Sequence, residues 1–426
     1  MTELIIPSEA PALGELKERR LDQTARKAVL SLLNKLEHGR ITIIEDNHRY
    51  AFGEEFSTSS LQADITVHHL QFYSRILFGG SIGAAEAYME GLWSADDLTM
   101  VMRILAINQK AFQDMEKGLA RLAAPFYKLY HFARKNTKTG SRKNILAHYD
   151  LGNDFYSLVL DKSMTYSCGI FEHEQSTLEE AMQAKYDRIC RKLKLEPGHR
   201  VVEIGTGWGG FAVHAAKNYG VHVTTTTISD EQYRYASKRF RKAGLENQIT
   251  LLKNDYRDLR GKFDRLVSIE MIEAVGHHYY NLFFQTCSRL LQDDGLMALQ
   301  AITIGDHIFD RHKRSVDFIK RYIFPGSCIP SVTAISKATA GATDLRLIHL
   351  EDITPHYART LREWRRRFLA NIDKVRDRGY PETFIRMWEY YLCYCEGGFT
   401  ERYIGDVQML FAKPLYRCDL PRNGTE

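Results

Sequence analysis

The sequence has no run of about 18 apolar residues, the length that marks a membrane-spanning helix, so no transmembrane segment is expected. Its start, Met1 to Pro11, carries acids and lacks a basic stretch followed by an apolar one, so no secretory signal is visible. The seven cysteines are scattered and form no CxxC pair, which removes the usual arguments for a disulfide framework or a zinc site. That usage fits a reduced, cytoplasmic compartment. Disorder is also excluded. With 44% hydrophobic and 26% charged residues over 426 positions, the chain has room for two or three globular domains of roughly 100–200 residues each.

Acids are missing from one stretch. None occurs between Lys117 and Tyr149, whereas Lys117, Arg121, Lys128, Arg134, Lys135, Lys138, Arg142 and Lys143 all fall there. Leu119, Leu122, Phe126, Tyr127, Leu129, Tyr130 and Phe132 interleave with them. Cations mixed with aromatics suit an anionic bilayer, where each cation near the headgroups contributes about 1 kcal/mol. They would equally suit nucleic acid, and a solvated helix face beside a linker would show the same pattern. The net charge of +5 is mild; its placement matters more than its size.

Residues 1–135 read as a separate N-terminal module and 136–426 as a catalytic one. In the module, Leu16–Leu36 is helical, and strand-like alternation follows in Arg40–Phe52 and Asp64–His69. Gly79-Gly80 predicts a turn into Ser81–Glu90, and Ser94-Ala-Asp-Asp offers caps for a helix through Asn108. The polar segment beginning at Asn136 is a plausible linker.

Beyond it, strands alternate with helices. Arg200–Ile204, Val221–Ile228, Ile249–Leu252, Phe263–Ile269 and Leu296–Ile304 read as strands, with helices at Phe211–Asn218, Asp230–Lys242 and Tyr279–Leu291. Such alternation implies a parallel sheet covered on both faces, with ligands beyond the C-terminal strand ends. Phe324–Pro330 reads as loop, Leu361–Asn371 and Thr383–Tyr394 as helices, and Asp406–Phe411 as a last, edge strand.

Val201-Val-Glu-Ile-Gly205-Thr-Gly207-Trp-Gly209-Gly210 follows a strand and opens a helix, where glycines let the backbone turn sharply and a ligand approach closely. The spacing also fits a dinucleotide loop, but that reading wants an acid about 20 residues past the first glycine. The chain has Thr224-Thr-Thr-Thr there. Glu203, two residues before the first glycine, is instead the arrangement of an S-adenosylmethionine loop.

Further motifs lie in order along the chain: His148-Tyr-Asp-Leu-Gly-Asn-Asp154, Tyr166-Ser-Cys-Gly169, Thr227-Ile-Ser-Asp-Glu-Gln232, Ser268-Ile-Glu-Met-Ile-Glu273, Tyr322-Ile-Phe-Pro-Gly326, Pro355-His-Tyr357 and Tyr391 to Phe399. With these the chain resembles the cyclopropane fatty acid synthase family, and the segment from Gly80 to Trp93 resembles the extra domain of its full-length bacterial members. The resemblance implies an α/β, Rossmann-like class I S-adenosylmethionine methyltransferase domain behind a smaller N-terminal α+β domain. It implies methylation of the double bond of unsaturated phospholipid acyl chains, closing a cyclopropane ring, by an enzyme at the inner face of the membrane. A homodimer contact through the N-terminal module is allowed for; neither nucleic acid nor a metal is expected.

The resemblance further implies that bound bicarbonate removes the last proton. The matching positions are Cys168, Glu273, Tyr357, Gln300 and Ile302, with Cys395 lining the site. Around the cofactor it places Tyr166, Ser167, Glu203, Gly205, Thr206, Gly207, Thr227, Ser229, Gln232, Asp255 and Tyr256. Tyr149, Tyr166 and Phe324 are the rings expected to face a cation. Two positions depart from the common pattern. Ala274 follows Glu273 where many members have histidine, and Gln300 replaces a histidine on the fifth strand. A cation not relieved at the new methyl could end as a methyl branch, an exocyclic methylene or an alcohol.

Overall fold

A computed structural model describes residues 13–53, 61–110 and 152–417. The basic aromatic stretch 117–143, Tyr149 and the expected boundary at 135–136 lie outside the described residues. The chain divides into two compact units, Met1–Phe126 with Pro381–Tyr390, and Tyr127–Tyr380 with Tyr391–Glu426.

In the first unit, strands β1 (Arg40–Glu45), β2 (His48–Gly53), β3 (Gln62–Val67) and β4 (Trp93–Ala95) form a sheet of order β2-β1-β3-β4. β1 and β3 run parallel, and β2 and β4 are antiparallel edges. The helix Leu98–Ile107 starts on Asp97, whose side chain accepts from the Met100 amide, as the capping pattern predicted. The turn predicted at Gly79-Gly80 is a sharp kink between two helical runs. Both residues lie inside Gln71–Met89, which kinks at Gly80 (φ 59°, ψ −139°). Glycine alone adopts that conformation at no steric cost, so Gly80 interrupts the helix where the sequence places the turn into Ser81–Glu90.

The second unit carries a seven-stranded sheet of order β10-β11-β9-β8-β5-β6-β7. Its members are β5 (Arg200–Ile204), β6 (His222–Thr226), β7 (Ile249–Leu252), β8 (Phe263–Ile269), β9 (Leu291–Ile304), β10 (Arg346–Asp352) and β11 (Ile404–Ala412). β5 to β9 are parallel; β11 is antiparallel to both β9 and β10. Successive residues alternate between two buried faces. Val202, Leu266 and Leu299 enter one core with Phe283 and Phe284, while Val201, Val267 and Ala298 enter the other with Phe211 and Phe240. This is the Rossmann-like α/β fold the sequence predicts.

The edge is different. Asp406–Phe411 was expected to end the sheet, yet β11 sits between β9 and β10, and β10 is the true edge. β10 escapes sequence reading because most of its residues are exposed and show no period-two alternation. Helix starts are locally encoded: Thr177 and Glu180 form a reciprocal capping box for Leu178–Lys192, and Ser229 caps Asp230–Lys242.

Candidate active site

Parallel strands deliver their C-terminal ends to one side of a sheet, and ligands of such folds sit there. After β5, the chain turns through Gly205 (φ 101°), Gly207 (φ 52°) and Gly209 (φ 85°). At Gly209 a Cβ would stand 2.5 Å from Phe240, so only glycine lets this turn close on the helix Asp230–Lys242. At Gly207 a Cβ would meet nothing within 4 Å. The loop is therefore tight against the protein at one glycine and open at another.

Glu203 lies just below this loop, 3% exposed. It accepts a hydrogen bond from Thr225 Oγ1 at 2.5 Å, and that hydroxyl lies 2.6 Å from Thr206 Oγ1. Burial pushes the Glu203 carboxyl up to about 8. Thr227, Ser229 and Gln232 form one network: Thr227 Oγ1 donates to Gln232 Oε1 at 2.8 Å and accepts from the Ser229 amide at 3.2 Å. Between the glycines in sequence, Trp208 donates from Nε1 to Asn153 Oδ1 at 2.6 Å, and its ring lies 5.0 Å from that of Tyr156. A buried acid, a glycine turn with an open mouth and a polar strand end fit S-adenosylmethionine, which is cationic and has no pyrophosphate.

Other residues expected at the cofactor also carry interactions within the chain. Asp255 is bound by Arg257, whose Nε and Nη2 donate at 2.8 and 2.7 Å. Tyr256 has its edge on Phe283 at 5.6 Å and the Arg257 guanidinium over its ring. Ser167 Oγ accepts from the fully buried Lys185 Nζ at 2.7 Å. Burial lowers the Lys185 ammonium to about 8 despite the nearby charge of Glu270.

The residues assigned to bicarbonate converge, but on a side chain that sequence reading passed over. The Cys168 amide donates to Glu270 Oε1 at 2.8 Å, and Gln300 Nε2 donates to the same oxygen at 2.7 Å. Tyr357 Oη donates to Glu270 Oε2 at 2.6 Å. The fourth donor, the Ile302 amide, reaches Glu273 Oε1 at 2.6 Å. All four donors are taken up by two protein carboxyls, Glu270 and Glu273.

Glu270 itself is strained. Its φ of 46° lies in the left-handed region, which costs a residue with a side chain on the order of 1–3 kcal/mol and persists only where surroundings dictate it. Its amide donates to the Gln300 carbonyl at 2.8 Å, so backbone and side chain are fixed by the same neighbour. Asp406, fully buried on β11, faces this group; Gln300 Nε2 reaches its Oδ2 at 3.4 Å. Burial, then the charges of Glu270 and Glu273, holds the Asp406 carboxyl well above the usual carboxylate range. Glu273 is pushed up to about 8 by burial and then by Glu270, and its Oε2 has no partner. Carboxyls crowded in a dry site cannot all ionise cheaply, so Glu273 and Asp406 take the neutral form at neutral pH.

Aromatic rings line the same region. Tyr357 stacks on Phe399 at 4.2 Å and meets Trp364 edge-on at 6.2 Å. Tyr166 lies 5.2 Å from Trp364 and 6.2 Å from Phe324, with its hydroxyl 2.9 Å from that of Tyr391. Cys395, on the helix Glu382–Thr400, is partly buried, and burial pushes its thiol far up, a setting that opposes thiolate chemistry.

Glu270 was visible in the sequence as one of two carboxylates three residues apart just past a strand. Asp406 was visible only as an acid in an apolar run, and nothing in the sequence singled out Lys185.

The mycolic acid cyclopropane synthetase family model matches residues 136–409. The cyclopropane-fatty-acyl-phospholipid synthase of Escherichia coli K12 is 40% identical over 359 residues, covering 83% of this chain and 89% of that protein. The tuberculostearic acid methyltransferase of Mycobacterium tuberculosis is 38% identical over 336 residues, covering 77% of this chain and 78% of that protein. Among solved structures, a mycolic acid cyclopropane synthase complexed with SAH and CTAB aligns with a TM-score of 0.60 and 32% identity, covering 64% of this chain and 98% of that one. The glycine turn, the buried acid below it and these relatives agree on an S-adenosylmethionine-dependent methyltransferase, and the chain belongs to the mycolic acid cyclopropane synthetase family.

Proposed function

We propose that the protein methylates the cis double bond of unsaturated phospholipid acyl chains and closes a cyclopropane ring there. The observation that carries this reading is the meeting of acid and aromatic groups at Tyr357: its hydroxyl holds Glu270 while its ring stacks on Phe399 and abuts Trp364. An alkene is a weak nucleophile, and adding a methyl to it leaves a carbocation. That intermediate needs ring faces to spread its charge, exclusion of water, and a base nearby.

S-adenosylmethionine, when bound, supplies an electrophilic methyl group. Glu203 and Gln232 would hold its polar parts at the ends of β5 and β6, and the glycine turn admits it. The π pair of the acyl chain forms the new carbon–carbon bond while the sulfur keeps the pair of the bond it loses. Tyr166, Tyr357 and Trp364 stabilise the resulting cation and keep the pocket dry. A C–H bond of the new methyl then breaks, its electron pair closes the ring, and the proton leaves toward the carboxyl cluster rather than toward bicarbonate.

Incubating purified protein with unsaturated phospholipid and the cofactor is expected to add one CH₂ to the lipid and abolish its olefinic signal. Absence of product across several unsaturated lipids would refute the reading. A second product is favoured by Ala274 and Gln300, which depart from the common pattern. A methylene branch has the same mass as the ring, and NMR of the product chain separates them.

Among the described residues no helix is long and apolar enough to cross a membrane. Access to lipid is assigned to the basic aromatic stretch 117–143, docking on anionic headgroups at the inner face of the membrane. Neutralising Lys117, Arg121, Lys128 and Arg134 together should weaken binding to anionic liposomes steeply, at about 1 kcal/mol per cation, and leave cofactor affinity intact. Equal liposome binding by that variant would remove the assignment.

A further inference from the structure

We propose that the Glu270 carboxylate is the proton acceptor of the reaction, built into the chain where the resemblance places a bicarbonate ion, so that turnover needs no bicarbonate. The inference rests on the lipid-methylation reading and names the base within it.

A planar O–C–O group with negative charge is what bicarbonate offers a site, and a carboxylate offers the same. Three donors from three separate parts of the unit meet on Glu270: the Cys168 amide, Gln300 Nε2 and Tyr357 Oη, at 2.8, 2.7 and 2.6 Å. Cys168 precedes the first strand of the sheet, Tyr357 lies on the helix Thr354–Ala370, and Gln300 comes from the strand beside β8. Such convergence is not what an incidental surface glutamate collects.

Backbone geometry agrees. Glu270 sits at φ 46° immediately after β8, a conformation that glycine would adopt at no cost. The chain carries a bulky acid there instead, at an energetic penalty that a purely structural residue would not require. Its neighbours Glu273 and Asp406 are both held toward the neutral form, and neither receives more than one of these donors at comparable distance. Tyr357 then links base and cation: one side chain orients Glu270 through its hydroxyl and joins its ring to the aromatic group of Phe399 and Trp364.

The step balances without a further reactant. The methyl C–H bond breaks, its electron pair forms the second carbon–carbon bond to the cationic carbon, and the proton passes to a Glu270 oxygen. It returns to solvent when product leaves.

The test compares turnover on unsaturated phospholipid vesicles in carbon dioxide-free buffer and in buffer with added sodium bicarbonate, for the wild-type protein, Glu270→Gln and Glu270→Gly. S-adenosylmethionine binding by calorimetry reports that each variant is folded. The wild-type rate is expected to be the same in both buffers. Glu270→Gln should bind the cofactor normally yet lose roughly 100-fold or more in turnover, the usual size of a general-base contribution. Rescue of Glu270→Gly by added bicarbonate, with saturation, would support the proposal directly, because a structural defect is not repaired by a small anion. A wild-type rate that collapses without bicarbonate and recovers on its addition would overturn it, as would full turnover by Glu270→Gln. Absence of lipid product from wild type in both buffers would instead sink the lipid reading, and the assignment of the base with it.

Discussion

Replacing Glu273 with alanine is expected to lower kcat roughly 100-fold, the scale of a reacting group displaced by about an ångström, while Glu273→Gln stays within about tenfold of wild type. The difference follows from protonation. Burial and the charge of Glu270 keep Glu273 neutral up to about pH 8, and a neutral carboxyl resembles a carboxamide more than a carboxylate does. Either side chain can accept from the Ile302 amide, which now donates to Glu273 Oε1 at 2.6 Å. Alanine leaves that buried amide without a partner, a penalty of about 1–3 kcal/mol, and opens space beside Glu270.

The pH profile separates a chemical role from a packing one. In the wild-type enzyme, ionisation of Glu273 near pH 8 puts a second negative charge beside Glu270, and the rate should fall as pH climbs through that value. Glu273→Gln has no such ionisation and should lose that alkaline limb. A glutamine variant as poor as alanine at every pH would show that the ionised form is required and would contradict this assignment.

The second large effect concerns Glu203. Its carboxyl is neutral in the folded protein until about pH 8, because burial outweighs the Thr225 hydrogen bond. An unfolded glutamate ionises near its ordinary value of about 4.3. Between these two values the folded state holds a proton the unfolded state has given up, so this group makes stability fall as pH rises. Glu203→Gln should flatten that decline by up to about 1.4 kcal/mol per pH unit, measured by denaturant titration across the window. A cationic ligand favours the carboxylate over the acid. S-adenosylmethionine binding at pH 7 should therefore release a proton from wild type, detected by calorimetry in buffers of different ionisation enthalpy. The glutamine variant should bind more weakly and release less. Equal proton release by both proteins would place the titrating group elsewhere.

Much of the fold and part of the site are legible in the sequence. The glycine turn announced itself because Gly205, Gly207 and Gly209 follow a β-branched run and precede a helix. Strands buried on both faces, such as β5 and β8, are compact apolar runs that end at loops carrying polar residues. What escaped notice was convergence. Glu270 and Glu273 are the same residue type three positions apart, and only the arrival of Cys168 and Tyr357, 102 and 87 residues away, tells them apart. Lys185 was hidden for a similar reason: on a charged helix, one lysine turned inward looks like those turned outward. β10 failed to show because an exposed edge leaves no alternation, which in turn made β11 look like the last strand.

The roles assigned at this site depend on a proton leaving the transferred methyl group itself. Supplying S-adenosylmethionine with a fully deuterated methyl and weighing the product lipid tests that directly. The mechanism predicts a product that keeps two of the three deuteriums, with the third lost to the carboxyl cluster and then to water. A product that keeps all three, or a lipid that carries no label at all, would contradict it.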